Sequence, residues 1–184
     1  MPFASFFKRA TFKRRDATPD PVDALYAALV QKARDPKFYT DLAVPDTVDG
    51  RFDMIVIHAM LVMRRLRENP DDVRTTGQRL FDLMFLDMDR SLREMGVGDM
   101  SVGKHVKKMA KAFYGRASAY EMGMDGEAEL LPNVIGFNLY RHNEPSADVL
   151  NRMASYLQRA SAHLAGQPLA EIAAGKIDFE VPVQ

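Results

Sequence analysis

A short segment of this 184-residue chain comes close to a phosphate-binding loop. Gly98 to Lys104 reads GDMSVGK, which fits the pattern G-x-x-x-x-G-K-[ST] in every place but the last. His105 occupies that last place, so the hydroxyl group that would bind magnesium is missing, and the segment follows a predicted helix where a phosphate loop needs a strand. We therefore interpret the two glycines as a tight connection between helices.

The other reactive side chains form no catalytic or metal-binding pattern. The sequence has no cysteine, which excludes disulfides, thiolate metal ligands and a cysteine nucleophile. The four histidines show no HExxH motif and no carboxylate at the helical spacing of a metal site. Asp87 and Asp89 would point about 160° apart on a helix, and Ser161 and His163 lack an orienting acid. The sequence predicts neither an enzyme nor a cofactor.

The clearest chemical feature is a row of lysines on one side of a predicted helix. No acid occurs between Lys104 and Arg116. At 100° per residue the lysines lie opposite an apolar face made by Val102, Val106, Met109, Ala110, Phe113, Ala117 and Tyr120. Ordinary surface helices intersperse acids, which gain i,i+4 pairs. The row is therefore either a solvated face or a contact surface for acidic or phosphate groups.

The preceding helix, predicted from Leu80 to Met95, is apolar on nearly every side. Such a helix must be covered on two sides, by its own fold or by a partner. Gly96 and Gly98 end it, because glycine tolerates the left-handed backbone of a helix stop. Asp99 or Ser101 is expected to cap the lysine-bearing helix that follows.

Methionine is concentrated in this part of the chain, since ten of the 12 methionines fall between Met54 and Met124. Methionine fills gaps in cores and also forms adaptable surfaces that bind apolar partners. We predict that the paired helices form a partner-binding surface. Its residues are the basic Lys104, Lys107, Lys108, Lys111 and Arg116 and the apolar Phe81, Met84, Phe85, Met88, Phe113 and Tyr114.

The rest of the pattern predicts an all-α fold, a single-domain helical bundle of about six to eight helices. His58, inside the apolar run MIVIHAMLVM, is expected to be a hydrogen-bonded core residue, and the end of the chain from Ile177 to Val183 an extended tail. In the first half of the chain, helices are predicted from Pro21 to before Pro36, around Phe38 to Leu42, from Arg51 to Arg67 and from Pro70 through Met95. In the second half, helices are predicted through the lysine row to Gly123, from Glu127 to Arg141 with a kink at Pro132, and from Pro145 to Gly166.

Residues 1–18 differ from the domain predicted over 19–184. The first 15 residues hold five basic side chains and no acid, although the whole chain has a formal net charge of +0. As a helix they would place phenylalanines on one face, suited to an anionic membrane interface; a frayed basic terminus is the alternative. The predicted membrane contacts are Phe3, Phe6, Phe7, Lys8 and Arg9. The longest apolar run, Met54 to Met63, is too short to span a bilayer.

Two segments resemble the ubiquinol-cytochrome c chaperone family, whose members are assembly factors of the cytochrome bc1 complex. They are DMDRSLREMGVGDMSVGKHVKKMAKAFYGR from Asp87 to Arg116 and VPDTVDGRFD from Val44 to Asp53, within a likeness that spans roughly Pro21 to Leu164. The resemblance implies a non-enzymatic chaperone that binds newly made cytochrome b. Mitochondrial members of the family work with a small partner protein and near the ribosome, so the resemblance makes both of these candidate partners. The lack of a long Arg/Ser-rich extension before the domain favours a bacterial member, for which we expect a cytoplasmic location at the inner face of the inner membrane.

The residues by themselves imply less than the resemblance does. They predict an amphipathic, methionine-rich helical binder, and a neutral chain gives no reason to expect sequence-specific binding to nucleic acid. The alternative function is a peripheral protein that handles lipid or quinone, with an internal apolar cavity and a basic rim facing the bilayer.

Overall fold

Helices make up the regular secondary structure of the computed structural model, which describes residues 20–69, 71, 73–127, 129–141 and 143–179. The all-α, single-domain prediction is confirmed. The α-helices are α1 (Pro21–Ala33), α2 (Pro36–Thr40), α3 (Val48–Leu66), α4 (Gln78–Glu94), α5 (Asp99–Asp125), α6 (Leu130–Ile135), α7 (Ala147–Ala165) and α8 (Leu169–Ala173). Two π-helical segments, π1 (Val73–Gly77) and π2 (Gly136–Tyr140), precede α4 and follow α6.

Helix α3 lies at the centre of the bundle and is buried on nearly every side from Phe52 to Val62. Helices α1, α5, α7 and α8 pack around it. His58 is fully buried within it: Nδ1 lies 2.7 Å from the carbonyl oxygen of Met54 and Nε2 lies 2.8 Å from the hydroxyl oxygen of Tyr156. The prediction of a hydrogen-bonded core histidine is confirmed. Burial lowers the pKa of His58 to about 4, so its imidazole is neutral in the core.

Side-chain caps explain most of the helix starts. Asp20, Asp35, Thr47 and Ser146 each accept a hydrogen bond from a backbone N–H in the first turn of α1, α2, α3 and α7, respectively. Because Thr47 is the cap, α3 begins at Val48, three residues before the predicted start. The predicted helix cap at Asp99 or Ser101 is wrong, since Gly98 is the N-cap residue and makes no side-chain bond.

Two further differences concern regions where the sequence pattern was ambiguous. The predicted helix from Glu127 to Arg141 is divided into α6 and π2, and α8 was not predicted at all. After α8 the chain continues as irregular backbone to Phe179, whose ring lies 5.3 Å from the ring of His58. Of the expected extended tail, the structure describes residues 177–179, which help to cover the core. The remaining residues of the tail lie outside the described part of the chain.

Candidate partner-binding surface

Helices α4 and α5 form an antiparallel pair joined by a two-glycine turn. Gly96 has a positive φ of 83°, and the backbone N–H groups of Gly96 and Val97 donate to the carbonyl oxygens of Arg93 and Leu92. This is the glycine-based stop that the sequence predicted. Helix α5 then runs for 27 residues, about 40 Å, and is therefore longer than the 17-residue α4 on the other side of the turn.

The four lysines of the predicted row lie on the outward face of α5. Lys104, Lys107, Lys108 and Lys111 are all exposed. Among the described residues, none of the four has a carboxylate within ion-pair distance. Their exposure agrees with the amphipathic pattern, and their role in binding stays a prediction.

The acids at the two ends of α5 are already paired with arginines from other segments. Asp99 pairs with Arg93, and Glu121 pairs with Arg67. Asp125 forms a bidentate pair with Arg64, in which Nη2–Oδ1 is 2.5 Å and Nη1–Oδ2 is 2.9 Å. These carboxylates therefore do not neutralise the lysines, which leaves a continuous cationic strip along the middle of α5.

Four of the predicted apolar contact residues face the core, so the expectation that they form exposed surface is wrong. Their relative exposures are low: Met84 1%, Phe85 8%, Met88 0% and Phe113 2%. The reason is that α1 packs against one side of α4 and α5 against the other. The apolar surface that had to be covered on two sides is covered by the fold itself.

The two remaining aromatic residues lie at the solvent edge of the same aromatic cluster. Phe81 is partly buried, and its ring lies 4.5 Å from the ring of Phe85 and 5.4 Å from that of Phe113. Tyr114 is 61% exposed and contacts Phe81 at a ring distance of 5.3 Å. Of the predicted apolar contacts, Phe81 and Tyr114 are therefore the ones that another molecule could reach.

The structure adds exposed apolar residues that the sequence analysis did not select. Met100 and Met122 are 93% and 62% exposed and lie on the outward face of α5, one on each side of the lysine row. Phe137, in π2, is 81% exposed. Met100 and Met122 lie at helical spacing from Lys104 and Lys111, so the sequence could have placed both methionines on the lysine face. They were not selected because methionine at helical spacing more often lies in a core.

Arg116 does not lie on the outward strip, so the expectation that it shares the exposed basic face with the lysines is wrong. It donates a hydrogen bond to Oδ1 of Asp53, which is fully buried in α3, and its guanidinium lies over the ring of Phe52 at 5.3 Å. Arg141 donates to Oδ2 of Asp53 at 2.6 Å and pairs with Asp49 at 2.7 Å. Burial raises the pKa of Asp53 to about 7, although both guanidinium groups act to lower it.

The comparisons with known proteins agree with the resemblance seen in the sequence. Residues 40–179 match the sequence model of the family described as "Ubiquinol-cytochrome C chaperone". The chain belongs to the ubiquinol-cytochrome c chaperone family. Its fold matches the crystal structure of the Cbp3 homolog from Brucella abortus with a TM-score of 0.79 and 31% sequence identity, over 89% of this chain and 92% of that chain. No curated protein matches the chain.

The family match reaches further towards the C terminus than the sequence analysis expected. It ends at residue 179, beyond the expected limit at Leu164, and therefore includes α8 and the segment that covers His58. It begins at residue 40, the last residue of α2, rather than at Pro21. The fold of this ubiquinol-cytochrome c chaperone is nevertheless continuous through α1, which packs against both α3 and α4.

The segment VPDTVDGRFD has a structural role in this family member. The Thr47 side chain caps α3, and a Cβ atom at Gly50 would lie 2.0 Å from the carbonyl oxygen of Pro45, so only glycine fits there. Asp49 and Asp53 bind Arg141, whose own backbone has a positive φ of 52°. The segment thus joins the start of α3 to the end of π2.

The described residues give no sign of a metal site: they contain no group of three or more histidine, aspartate or glutamate side chains that could hold an ion. Asp87 accepts a hydrogen bond from the Tyr26 hydroxyl at 2.9 Å, and Asp89 pairs with Arg93. No helix within the described ranges is long and apolar enough to cross a membrane. The predicted membrane contacts Phe3, Phe6, Phe7, Lys8 and Arg9 lie outside the described residues.

Proposed function

We propose that this protein is a non-enzymatic chaperone that binds newly made cytochrome b and holds it until it joins the bc1 complex. The observation that carries the proposal is the family match over residues 40–179, together with the likeness to a Cbp3 homolog over most of both chains. We further propose that it acts in the cytoplasm, at the inner face of the bacterial inner membrane.

The outward side of the α4–α5 pair is the surface that we propose for the client. Phe81 and Tyr114 offer an accessible aromatic edge, and Met100 and Met122 offer flexible apolar side chains that adapt to different partners. The lysines of α5 lie beside these groups, where they can approach the anionic groups that surround a client held at a membrane.

Crosslinking from defined positions tests the proposal. A photoreactive amino acid at Tyr114 should crosslink to cytochrome b in cells that are assembling the bc1 complex. The matched control places the same amino acid at Gln158, which is exposed on α7, a helix that packs mainly against α3 and α6. A crosslink from Tyr114 and none from Gln158 supports the proposed surface. Equal yields, or the absence of cytochrome b from both, would contradict it.

A further inference from the structure

The lysines of this protein are used differently from its arginines. The ion pairs of the described residues are made by arginines, apart from Lys32–Asp35 and His163–Asp178. Arginine suits a carboxylate of fixed position, because its planar fork makes two hydrogen bonds, whereas lysine is a compact charge without such directional demands. Four of the nine lysines lie unpaired on α5.

The face that carries these lysines is long, open and partly apolar. A Cβ atom added at Gly103 or Gly115 would meet nothing within 4 Å, so no other part of the described chain covers this side of α5. From Met100 to Met122 the face spans about 33 Å of a straight helix. Exposed methionines lie at both ends of the cationic strip.

We infer that this face of α5 docks on an anionic phospholipid surface, with the lysines among the headgroup phosphates and Met100 and Met122 at the boundary with the acyl chains. Charge complementarity supports this occupant, because a row of unpaired lysines matches a layer of mobile negative charge. The mixture of lysine with exposed apolar residues is typical of helices that lie in a membrane interface.

A membrane fits these observations better than an acidic protein or a nucleic acid does. Within the described part of the chain, carboxylates at fixed positions are paired mainly with arginine, and we expect the same pairing for the carboxylates of a protein partner. A single-stranded nucleic acid would require exposed aromatic rings for base stacking, and on the outward face of α5 the exposed aromatic residue is Tyr114, whose ring already contacts Phe81. The inference deepens the proposed function, since it names the molecule that the lysines of the proposed surface meet.

Vesicle binding by the full chain tests the inference. We expect binding to vesicles of phosphatidylcholine with phosphatidylglycerol, no binding to phosphatidylcholine alone, and loss of binding at high salt. Neutralising Lys107, Lys108 and Lys111 to glutamine should weaken binding by roughly fivefold per lysine, about a hundredfold in all. The matched control neutralises three other exposed cations, Lys37, Arg90 and Lys176, for the same change of net charge, and should change binding much less.

A fluorescent label reports whether the face itself enters the membrane. Because the chain has no cysteine, Met100→Cys provides a single labelling site that is 93% exposed, and Ser155→Cys on α7 provides an exposed control. An environment-sensitive dye should shift to the blue with anionic vesicles at position 100 and not at position 155. Both substitutions are on the surface, so circular dichroism should show unchanged folding.

Three results would overturn the inference. They are equal vesicle binding by the lysine variant and the wild type, an unshifted dye at position 100, and binding of poly-glutamate or an RNA oligonucleotide under conditions where anionic vesicles are not bound. The outcome is separable from that of the proposed function. If the lysine variant loses vesicle binding while the Tyr114 crosslink forms in the wild type, both proposals are supported. If the wild type binds vesicles and gives no crosslink to cytochrome b, the inference is supported and the proposed function is contradicted.

Discussion

Asp53 on α3 and Arg116 on α5 form a buried ion pair across 63 positions of the chain. The pair joins the central helix to the helix that carries the lysine row. It therefore fixes how α5 is rotated, with its apolar side inward and its lysines outward. Arg141 holds the second oxygen of the same carboxylate, so three segments of the fold meet at one buried charge.

At pH 8, where the Asp53 carboxyl is ionised, replacing Arg116 with glutamine should destabilise the protein by about 3 kcal/mol, because removing one partner of a buried ion pair leaves the carboxylate incompletely compensated. Urea unfolding followed by circular dichroism measures the change. The control is Lys111→Gln, which removes an unpaired exposed charge from the same helix and should change the free energy of unfolding by at most about 0.5 kcal/mol. Equal stability of the two variants would mean that Arg116 has no structural role.

The pH dependence of stability should reveal Asp53 and His58 as opposing contributions. Because burial raises the pKa of Asp53 to about 7, the native state binds a proton that the unfolded state releases, and stability falls as pH rises from about 4 to 7. The pKa of His58 is lowered to about 4, so the unfolded state binds the extra proton and stability rises with pH between about 4 and 6.5.

Asp53→Asn separates the two contributions. Without the titration of Asp53, the free energy of unfolding should increase with pH more steeply than in the wild type, by up to about 1.4 kcal/mol per pH unit between pH 4.5 and 6. Urea titrations at three pH values in this range measure both slopes. Parallel profiles for the two proteins would show that Asp53 has an ordinary pKa in the folded state.

Sequence reasoning located the helices because their signals are local. The cap at Asp20, the glycine stop at Gly96 and the apolar spacing of α7 each act within a few residues, so the element order was predictable. The same reasoning predicted the exposure of the lysines, since a cationic row opposite an apolar face has only one stable orientation in water.

The expectation that Met84, Phe85, Met88 and Phe113 are exposed was wrong because exposure depends on tertiary packing. Met84 and Phe113 have the same types and spacing whether they contact a client or the protein's own core, and only the position of α1 and α5 relative to α4 decides. Arg116 was misassigned for a related reason. Its partner Asp53 lies in another helix, and no local pattern connects the two.

Glycine substitutions should separate the glycine that the fold requires from glycines that it does not require. Gly103→Ala and Gly115→Ala are each expected to stabilise the isolated protein by about 0.5–1 kcal/mol, since both lie in an exposed helix with open space at the Cβ position. Gly50→Ala should destabilise it severely, because the Cβ atom would collide with the carbonyl oxygen of Pro45. Thermal unfolding measures all three, and a loss of stability in Gly103→Ala would show that the outward face of α5 is covered.

Phe113 and Tyr114 are adjacent in sequence but should respond in opposite ways to alanine substitution. Phe113→Ala removes a ring that is 2% exposed, so we expect a loss of about 3–5 kcal/mol of stability through the cavity that it leaves. Tyr114→Ala removes a ring that is 61% exposed and should change stability by about 1 kcal/mol or less.

In cells at equal protein levels, Tyr114→Ala should nevertheless lower the amount of assembled bc1 complex, measured from haem spectra of the membranes. Normal bc1 levels in this variant would exclude the aromatic edge of Phe81 and Tyr114 as the client surface, because its most exposed member would then be dispensable.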